Sequence, residues 1–265
     1  MKNTNSHTLT SKLSDLLHLR LIIFAAVIVL SPSAIATTPE QQPLLTNGNF
    51  QYSGAFRLPV STFGASRLGF LNGTMAINSQ KNSFFVIGHD HHQAIAEFSI
   101  PEVVNSQTLS DLKMASAPIQ NFEPIFSRVP SNPDNIDKIT GLELVSGQLI
   151  VHGTQYYDGD ANNTDTTLII RDPDNLDSTA IDGFFKMDVS AHAAGWMSEI
   201  PPEWQSAFSG EYITGFASNY AINSRNSIGP TAFLFNPDTL INNADIEITT
   251  TTMLDFSSEN RLHDD

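Results

Sequence analysis

Three segments of the chain share one pattern: EFSIPEVV at 97–104, LIIRDPDNL at 168–176 and FLFNPDTL at 233–240. Each is a short apolar run that reaches a proline followed at once by an acidic residue, and the prolines stand at positions 101, 173 and 237. Proline has no N–H to donate and therefore stops strand pairing. Three similar stops predict three similar antiparallel sheets.

Segments upstream of these strands repeat as well. FFVIG at 84–88 and LIVHG at 149–153 are apolar runs that end in glycine, and the tripeptide Ile-Thr-Gly occurs at 139–141 and at 213–215. Small antiparallel sheets repeated along a chain are typical of a β-propeller. The predicted fold is therefore all-β and propeller-like, with a β-sandwich or jelly roll as the alternative.

Short apolar or alternating runs, bounded by Gly, Pro, Asn, Asp and Ser, predict ten strands. They cover residues 52–57, 74–77, 84–87, 94–100, 141–145, 149–152, 167–170, 212–216, 231–235 and 246–250. A short helix is predicted within 196–208, because Pro201 and Pro202 suit a first helical turn.

The N-terminus has the organisation of a secretory signal peptide. Basic residues precede an apolar run at 21–30, and Ala34-Ile35-Ala36 fits the small-x-small cleavage rule. The run is too short for a bilayer core, which needs about 20 residues. We expect cleavage after Ala36 and a secreted or periplasmic protein, with an uncleaved signal anchor as the alternative.

The remaining chain divides into a tether and one domain. Residues 37–49 are rich in Pro, Gln, Thr and Asn, which predicts a flexible segment, and the domain is expected at 50–265. Propellers usually have four or more blades. Because three units fill 50–265, we expect this chain to be the N-terminal part of a longer domain.

Composition excludes several functions. The net charge of −15 repels nucleic acid and anionic lipid. The chain has no cysteine, so disulfides, thiolate nucleophiles and zinc-thiolate sites are excluded. With 40% hydrophobic residues, the chain has enough apolar material for a packed core.

A histidine cluster is the first candidate metal site. His89, His91 and His92 surround Asp90 between two predicted strands, and imidazole and carboxylate suit a transition metal. Alternate residues of an extended segment point in opposite directions, so two of the four can share an ion and a third ligand must come from elsewhere. The alternative is a solvated hairpin tip.

An Asp- and Asn-rich loop is the second candidate. Asp158, Asp160, Asn162 and Asp165 offer hard oxygen ligands for Ca²⁺, the first three at alternate positions as in a calcium-binding loop. The EF-hand pattern then fails, since its required glycine and bidentate glutamate are missing. The prediction is a structural, non-EF calcium loop, with an ordinary Asx-rich turn as the alternative.

Three segments carry a family resemblance: YSGAFRLP at 52–59, FFVIGHDHH at 84–92 and AEFSIPEV at 96–103. They resemble the opening of secreted bacterial β-propeller proteins of unassigned function. The resemblance implies the fold and no catalytic residue.

The sequence carries no phosphate loop, G-x-S-x-G or H-E-x-x-H motif. We therefore predict a binding or scaffold module whose glycan or protein ligand lies where the loops gather. The alternative is an extracellular polysaccharide hydrolase or lyase, which needs paired carboxylates or a His/Tyr site. Convergence of the 89–92 histidines with His152 and an acid would favour the enzyme.

Overall fold

The computed structural model describes residues 41–71, 73–159, 162–217, 230–242 and 247–256. The predicted signal peptide at 1–36, with its cleavage after Ala36, lies outside these residues. Every element below belongs to one compact unit, Leu45–Asp265. In the described part of that unit the fold is all-β, as predicted, and consists of three four-stranded antiparallel sheets.

Each sheet is made of four strands that are consecutive in the chain. Sheet 1 contains β1 (Met75–Asn78), β2 (Ser83–Ile87), β3 (Ala94–Ser99) and β4 (Gln120–Pro124). Sheet 2 contains β5 (Lys138–Val145), β6 (Gln148–Thr154), β7 (Asp165–Ile170) and β8 (Ile181–Lys186). Sheet 3 contains β9 (Trp196–Glu199), β10 (Tyr212–Gly215), β11 (Thr231–Phe235) and β12 (Thr250–Asp255).

Short helices connect some of these strands. The predicted helix is confirmed as α1 (Pro202–Phe208), which has Pro202 at its first position, and α2 (Asp238–Asn242) follows β11. Single 3₁₀ turns occur at Asn47–Asn49, Leu109–Asp111, Phe126–Arg128 and Ser190–Ala193.

The proline-terminated repeat coincides with the sheets. The three quoted segments contain β3, β7 and β11, so each begins with the third strand of its sheet. The second strands β2, β6 and β10 each reach a glycine at their ends, namely Gly88, Gly153 and Gly215. The prediction of three similar sheets is therefore confirmed.

The sheets stack face to face around two shared cores. In β6, Leu149 and Val151 pack in a cluster with side chains of sheet 1, whereas Ile150 packs with side chains of sheet 3. Successive strand residues face opposite sides of a sheet. Sheet 2 is thus covered on both faces, which explains why its central strands read as unbroken apolar runs.

First strands lie next to one another at these interfaces. β1 contacts β5, and β5 contacts β9. The other face of sheet 1 is covered by the segment that precedes it, through Phe56, Leu58, Phe63 and Leu71.

Several predicted strand positions are wrong. Residues 52–57 form isolated bridges at Ala55 and Arg57, because Gly54 adopts a positive φ that interrupts an extended run. β12 begins at Thr250, where the predicted strand ends, since a run of four threonines offers no break to mark a boundary. Strands β4, β8 and β9 were not predicted, as their polar or glycine-containing sequences lack a clear period.

Candidate functional site

A cleft of about 270 Å³ lies where the first strands of the three sheets begin. It is lined by Gly73, Thr74 and Met75 at β1, by Thr140, Gly141 and Leu142 in β5, and by Trp196 and Met197 in β9. Met75 and Trp196 remain partly open to solvent. The cleft therefore joins all three sheets in one depression.

One wall of the cleft begins in the segment 192–195, which enters β9. Three threonine hydroxyls donate to successive carbonyl oxygens of this segment: Thr231 to His192, Thr214 to Ala193 and Thr140 to Ala194. These threonines come from strands of sheets 2 and 3. The segment is thus fixed between the sheets by side chains and leaves no carbonyl of 192–194 without a donor.

Three glycines make this arrangement possible. A Cβ on Gly141 would lie well under 3.0 Å from the Gly195 carbonyl oxygen, and one on Gly195 would lie equally close to that of Gly215. Cβ atoms essentially never approach backbone this closely, so no larger residue fits. In each copy of the Ile-Thr-Gly tripeptide, the threonine donates a hydrogen bond and the glycine allows a close backbone approach. The copy at 139–141 lies in β5, a first strand, and the copy at 213–215 lies in β10, a second strand.

His152 is linked to the same segment through the Thr214 hydroxyl. Its ring is completely buried, and Nδ1 lies 3.2 Å from the Thr214 hydroxyl oxygen. Because that hydroxyl already donates to Ala193, His152 must donate from Nδ1, which leaves Nε2 unprotonated and without a partner among the described residues. Burial lowers the pKa of His152 to about 4, and the Gly195 backbone opposes this fall only in part.

A surface of planar side chains lies at the turn between β2 and β3. Phe70 packs edge-on against His89 at 5.5 Å between ring centroids, and His89 lies 4.8 Å from His92 and 5.4 Å from His91. Ser66 fixes the turn, since its hydroxyl accepts from the His89 amide and lies 3.0 Å from His92 Nδ1. We call Phe70, the three histidines, Tyr156 and Tyr157 the ring surface.

Charged groups hold the two halves of the ring surface together. Lys138 forms a 2.7 Å ion pair with Asp90 and places its ammonium 5.4 Å from the centroid of Tyr156. Tyr157, the next residue, is 64% exposed. The histidine turn, the start of β5 and the β6–β7 loop thus form one continuous surface.

The predicted transition-metal ligands His89, His91 and His92 lie together on this surface. His89 Nδ1 accepts the His91 amide at 3.1 Å, which occupies that nitrogen. Burial and the neighbouring His92 and Arg67 lower the pKa of His89. Within the described residues no group of three His, Asp or Glu side chains could hold a metal ion. His152 lies in β6 inside the core, whereas His89 follows β2 in a turn.

The predicted calcium loop is organised by backbone donors. Asp158 is buried, and its carboxylate accepts from the amides of Asn162 at 3.2 Å and Asn163 at 3.4 Å. Asp165 accepts from the Thr164 hydroxyl at 2.7 Å. Asp160 lies outside the described residues, so the full ligand set is not tested.

A second group of ionisable side chains lies between sheets 2 and 3. Glu143 in β5 neighbours Glu199 in β9, and Glu199 is paired in register with Tyr212 of β10. Burial raises the pKa of Glu143 to about 7, and the negative charge of Glu199 adds to the rise. Burial, Glu199 and Glu143 also raise the pKa of Tyr212 to about 12.

We expect Glu143→Gln to stabilise the protein above neutral pH. A carboxyl whose folded pKa is raised destabilises the fold once ionised, so stability falls as pH rises from about 4.5 through 7. After a discount for partial exposure, the gain at about pH 8 is roughly 1 kcal/mol and vanishes near pH 4. Urea unfolding across this range measures it.

The control for this prediction is Glu203→Gln, which removes one negative charge from an exposed position on α1. Glu203 lies in the first turn of α1, where a carboxylate is favourable, so its removal should give no gain of stability above neutral pH. Equal behaviour of the two variants would contradict the raised pKa of Glu143.

Comparisons with known proteins return no similar sequence or structure. No family model, no curated protein and no solved structure matches the chain. In the part of the chain that the structure describes, no helix has the length and apolar character needed to cross a membrane.

Several site residues were not predicted from the sequence, although each leaves a local signal. Glu143 is the single charge in the apolar run 141–145. Phe70 directly follows a glycine and lies shortly before the first strand of sheet 1. A lone acid in a buried strand and an aromatic residue at a strand entrance are both unusual enough to note.

Proposed function

We propose that the protein is a secreted, propeller-type binding module that takes an extracellular glycan at the cleft and the ring surface. The observation that carries the proposal is the concentration of exposed rings at one end of the sheets. Phe70 is 81% exposed, Trp196 is 38% exposed, and Tyr156 and Tyr157 are 43% and 64% exposed. Exposed aromatic patches mark binding sites, because solvent exposure of apolar surface is unfavourable without a ligand.

The propeller arrangement is supported by the order and contacts of the strands. Each sheet is a meander of four consecutive strands, and the first strands of successive sheets are neighbours. Three sheets also stack in series, whereas a sandwich has two. In such an arrangement the cleft lies on the axis shared by the sheets, where propellers gather their loops.

A glycan suits this surface for two reasons. Flat side chains present faces on which sugar rings can stack, and the Asp90–Lys138 pair supplies an acceptor and a donor for hydroxyl groups. The histidines lie on a turn apart from buried His152, which favours binding over catalysis at this place.

Retention on insoluble polysaccharides tests the proposal. The purified protein is mixed with cellulose, chitin or cross-linked pectin, and the free fraction is measured. We expect retention on at least one matrix, with Phe70→Ala and Trp196→Ala each weakening it roughly tenfold, as for central interface aromatics. Phe50→Ala, an equally exposed phenylalanine before sheet 1, is the control. Equal retention of all variants would contradict the assigned surface.

A polysaccharide hydrolase or lyase is a second candidate, favoured by Glu143. A carboxyl group whose pKa is raised to about 7 by burial and by a second carboxyl group resembles the acid and base pair of glycosidases. Glu143 would donate the proton and Glu199 would act as the base or nucleophile.

The two functions differ in one measurement. A binding module retains polysaccharide and releases no new reducing ends or unsaturated products. An enzyme releases them, and Glu143→Gln abolishes the release while retention remains.

A further inference from the structure

One arginine differs from the other basic side chains of the described residues. Every lysine in this part of the chain forms an ion pair with a carboxylate. The guanidinium groups of Arg57, Arg128 and Arg171 each donate to a carbonyl or carboxylate oxygen of the protein. Within the described residues, Arg67 is the only lysine or arginine whose charged group has no protein partner.

A shortage of acidic groups does not explain the isolation of Arg67. The chain has 28 Asp and Glu residues against 13 Lys and Arg residues. Despite this excess of carboxylates, the Arg67 side chain is exposed and unpaired within the described residues. Its guanidinium therefore keeps five N–H donors and a full positive charge available for a ligand.

Arg67 belongs to the turn that carries Phe70 and supports the histidines. Its neighbour Ser66 is buried and accepts a hydrogen bond from the His89 amide, and the Phe70 carbonyl oxygen accepts the Asp90 amide at 3.0 Å. The charge of Arg67 is close enough to His89 to lower the pKa of that histidine. The unpaired guanidinium thus adjoins the ring surface, on the same turn as the exposed Phe70 ring.

The charge next to the histidine turn is positive, although the whole chain is acidic. Asp90, the acid within that turn, is paired with Lys138, so Arg67 adds one uncompensated positive charge. The net charge of −15 opposes a polyanion at long range. At about 0.15 M salt the screening length is about 8 Å, so a negative group in contact with Arg67 is repelled only weakly by distant carboxylates.

We propose that the ring surface takes an acidic glycan, a polymer of uronic acid sugars, and that Arg67 selects it by binding a sugar carboxylate. The fork of a guanidinium matches a carboxylate with two parallel hydrogen bonds, which are stronger than neutral ones. The exposed Phe70 ring supplies the apolar contact for a sugar ring. This inference rests on the proposed glycan site and adds the charge of its ligand.

Uronic acid polymers and their neutral esters are matched ligands, because esterification removes the charge and keeps the sugar backbone. Polygalacturonate and alginate are each compared with their esters by titration calorimetry, in buffer without divalent cations. We expect at least one acid polymer to bind roughly tenfold more tightly than its ester. Equal binding of acid and ester would overturn the inference and leave the proposed glycan site intact, whereas no binding of any glycan would overturn both.

Variants of Arg67 assign the preference to this side chain. Arg67→Gln should lower the affinity for the acid polymer to that for the ester, and Arg67→Lys should lie between, since an ammonium keeps the charge without the fork. Lys113→Gln is the control, because it removes the same charge where Lys113 pairs with Glu102, beyond the far end of β3. An unchanged preference in Arg67→Gln, or an equal loss in Lys113→Gln, would overturn the inference.

Two further measurements separate charge recognition from other causes. The ratio of affinities between the unmodified protein and Arg67→Gln should shrink as salt rises from about 0.05 to about 0.5 M, because salt screens exposed charges. A ratio independent of salt would indicate a purely structural role and overturn the inference. Polyglutamate carries carboxylates without sugar rings, and a sulfated galactan carries sulfate instead. Tighter binding of either one than of both uronic acid polymers would also overturn it.

Discussion

Gly195→Ala is expected to lower stability by roughly 3 kcal/mol or more, or to prevent folding. The added Cβ would lie well under 3.0 Å from the Gly215 carbonyl oxygen, a backbone atom that cannot swing away. Relief requires moving the 192–195 segment, which also breaks the threonine bonds to its carbonyls. Because total stability is usually about 5 to 15 kcal/mol, this loss is a large share of it.

Urea unfolding of the variant measures this effect, and Gly69→Ala is the matched control. A Cβ on Gly69 would meet only the end of the Arg67 side chain, at an ordinary 3.7 Å. Its stability should change by less than about 1 kcal/mol. A fully stable Gly195→Ala protein would contradict the close packing of sheets 2 and 3 on this segment.

The second large effect is a loss of stability in acid that depends on His152. Its folded pKa of about 4 lies below the ordinary value of 6.5, so the unfolded chain takes up a proton first as pH falls. The titration of His152 leaves stability unchanged above about pH 6.5. Between pH 6.5 and pH 4 it lowers stability progressively, by about 3 kcal/mol in total. The titration of Glu143 has the opposite effect between about pH 7 and 4.5, because protonation of its buried carboxyl group raises stability as pH falls.

His152→Asn keeps a donor near the Nδ1 position and removes the titration. Relative to the unmodified protein, the variant should lose stability at neutral pH because of its smaller side chain and recover about 3 kcal/mol by pH 4. His91→Asn, which removes an exposed ring, is the control. A pH-independent difference between His152→Asn and the unmodified protein would contradict a buried neutral imidazole.

The three sheets were predictable because the apolar runs and the prolines that indicate their third strands are adjacent in the sequence. Pro101, Pro173 and Pro237 each follow the third strand of a sheet, and the run that precedes each of them is mostly buried. Edge strands such as β4 depend on pairing with β3, and this pairing has an irregular register. The sequence Gln120–Pro124 has no alternation of apolar and polar residues that would predict a strand.

The candidate site was less predictable, because its members meet only after folding. Thr140, Thr214 and Thr231 come from three strands and converge on one segment. The raised pKa of Glu143 depends on burial against sheet 3, which composition does not reveal. The histidine turn was visible as a motif, yet the hydrogen bond to His89 Nδ1 and the packing against Phe70 are tertiary properties.

Intrinsic fluorescence can locate the ligand, because the chain has two tryptophans and one of them lines the cleft. In the Trp204→Phe protein, Trp196 is the single reporter, and soluble oligosaccharides of glucose, N-acetylglucosamine and galacturonic acid are titrated in turn. We expect a saturable change in Trp196 emission with one of them, which Phe70→Ala weakens and which is absent when only Trp204 remains. A response from Trp204 alone, or no response to any saccharide, would contradict a glycan site at the entrance of the three first strands.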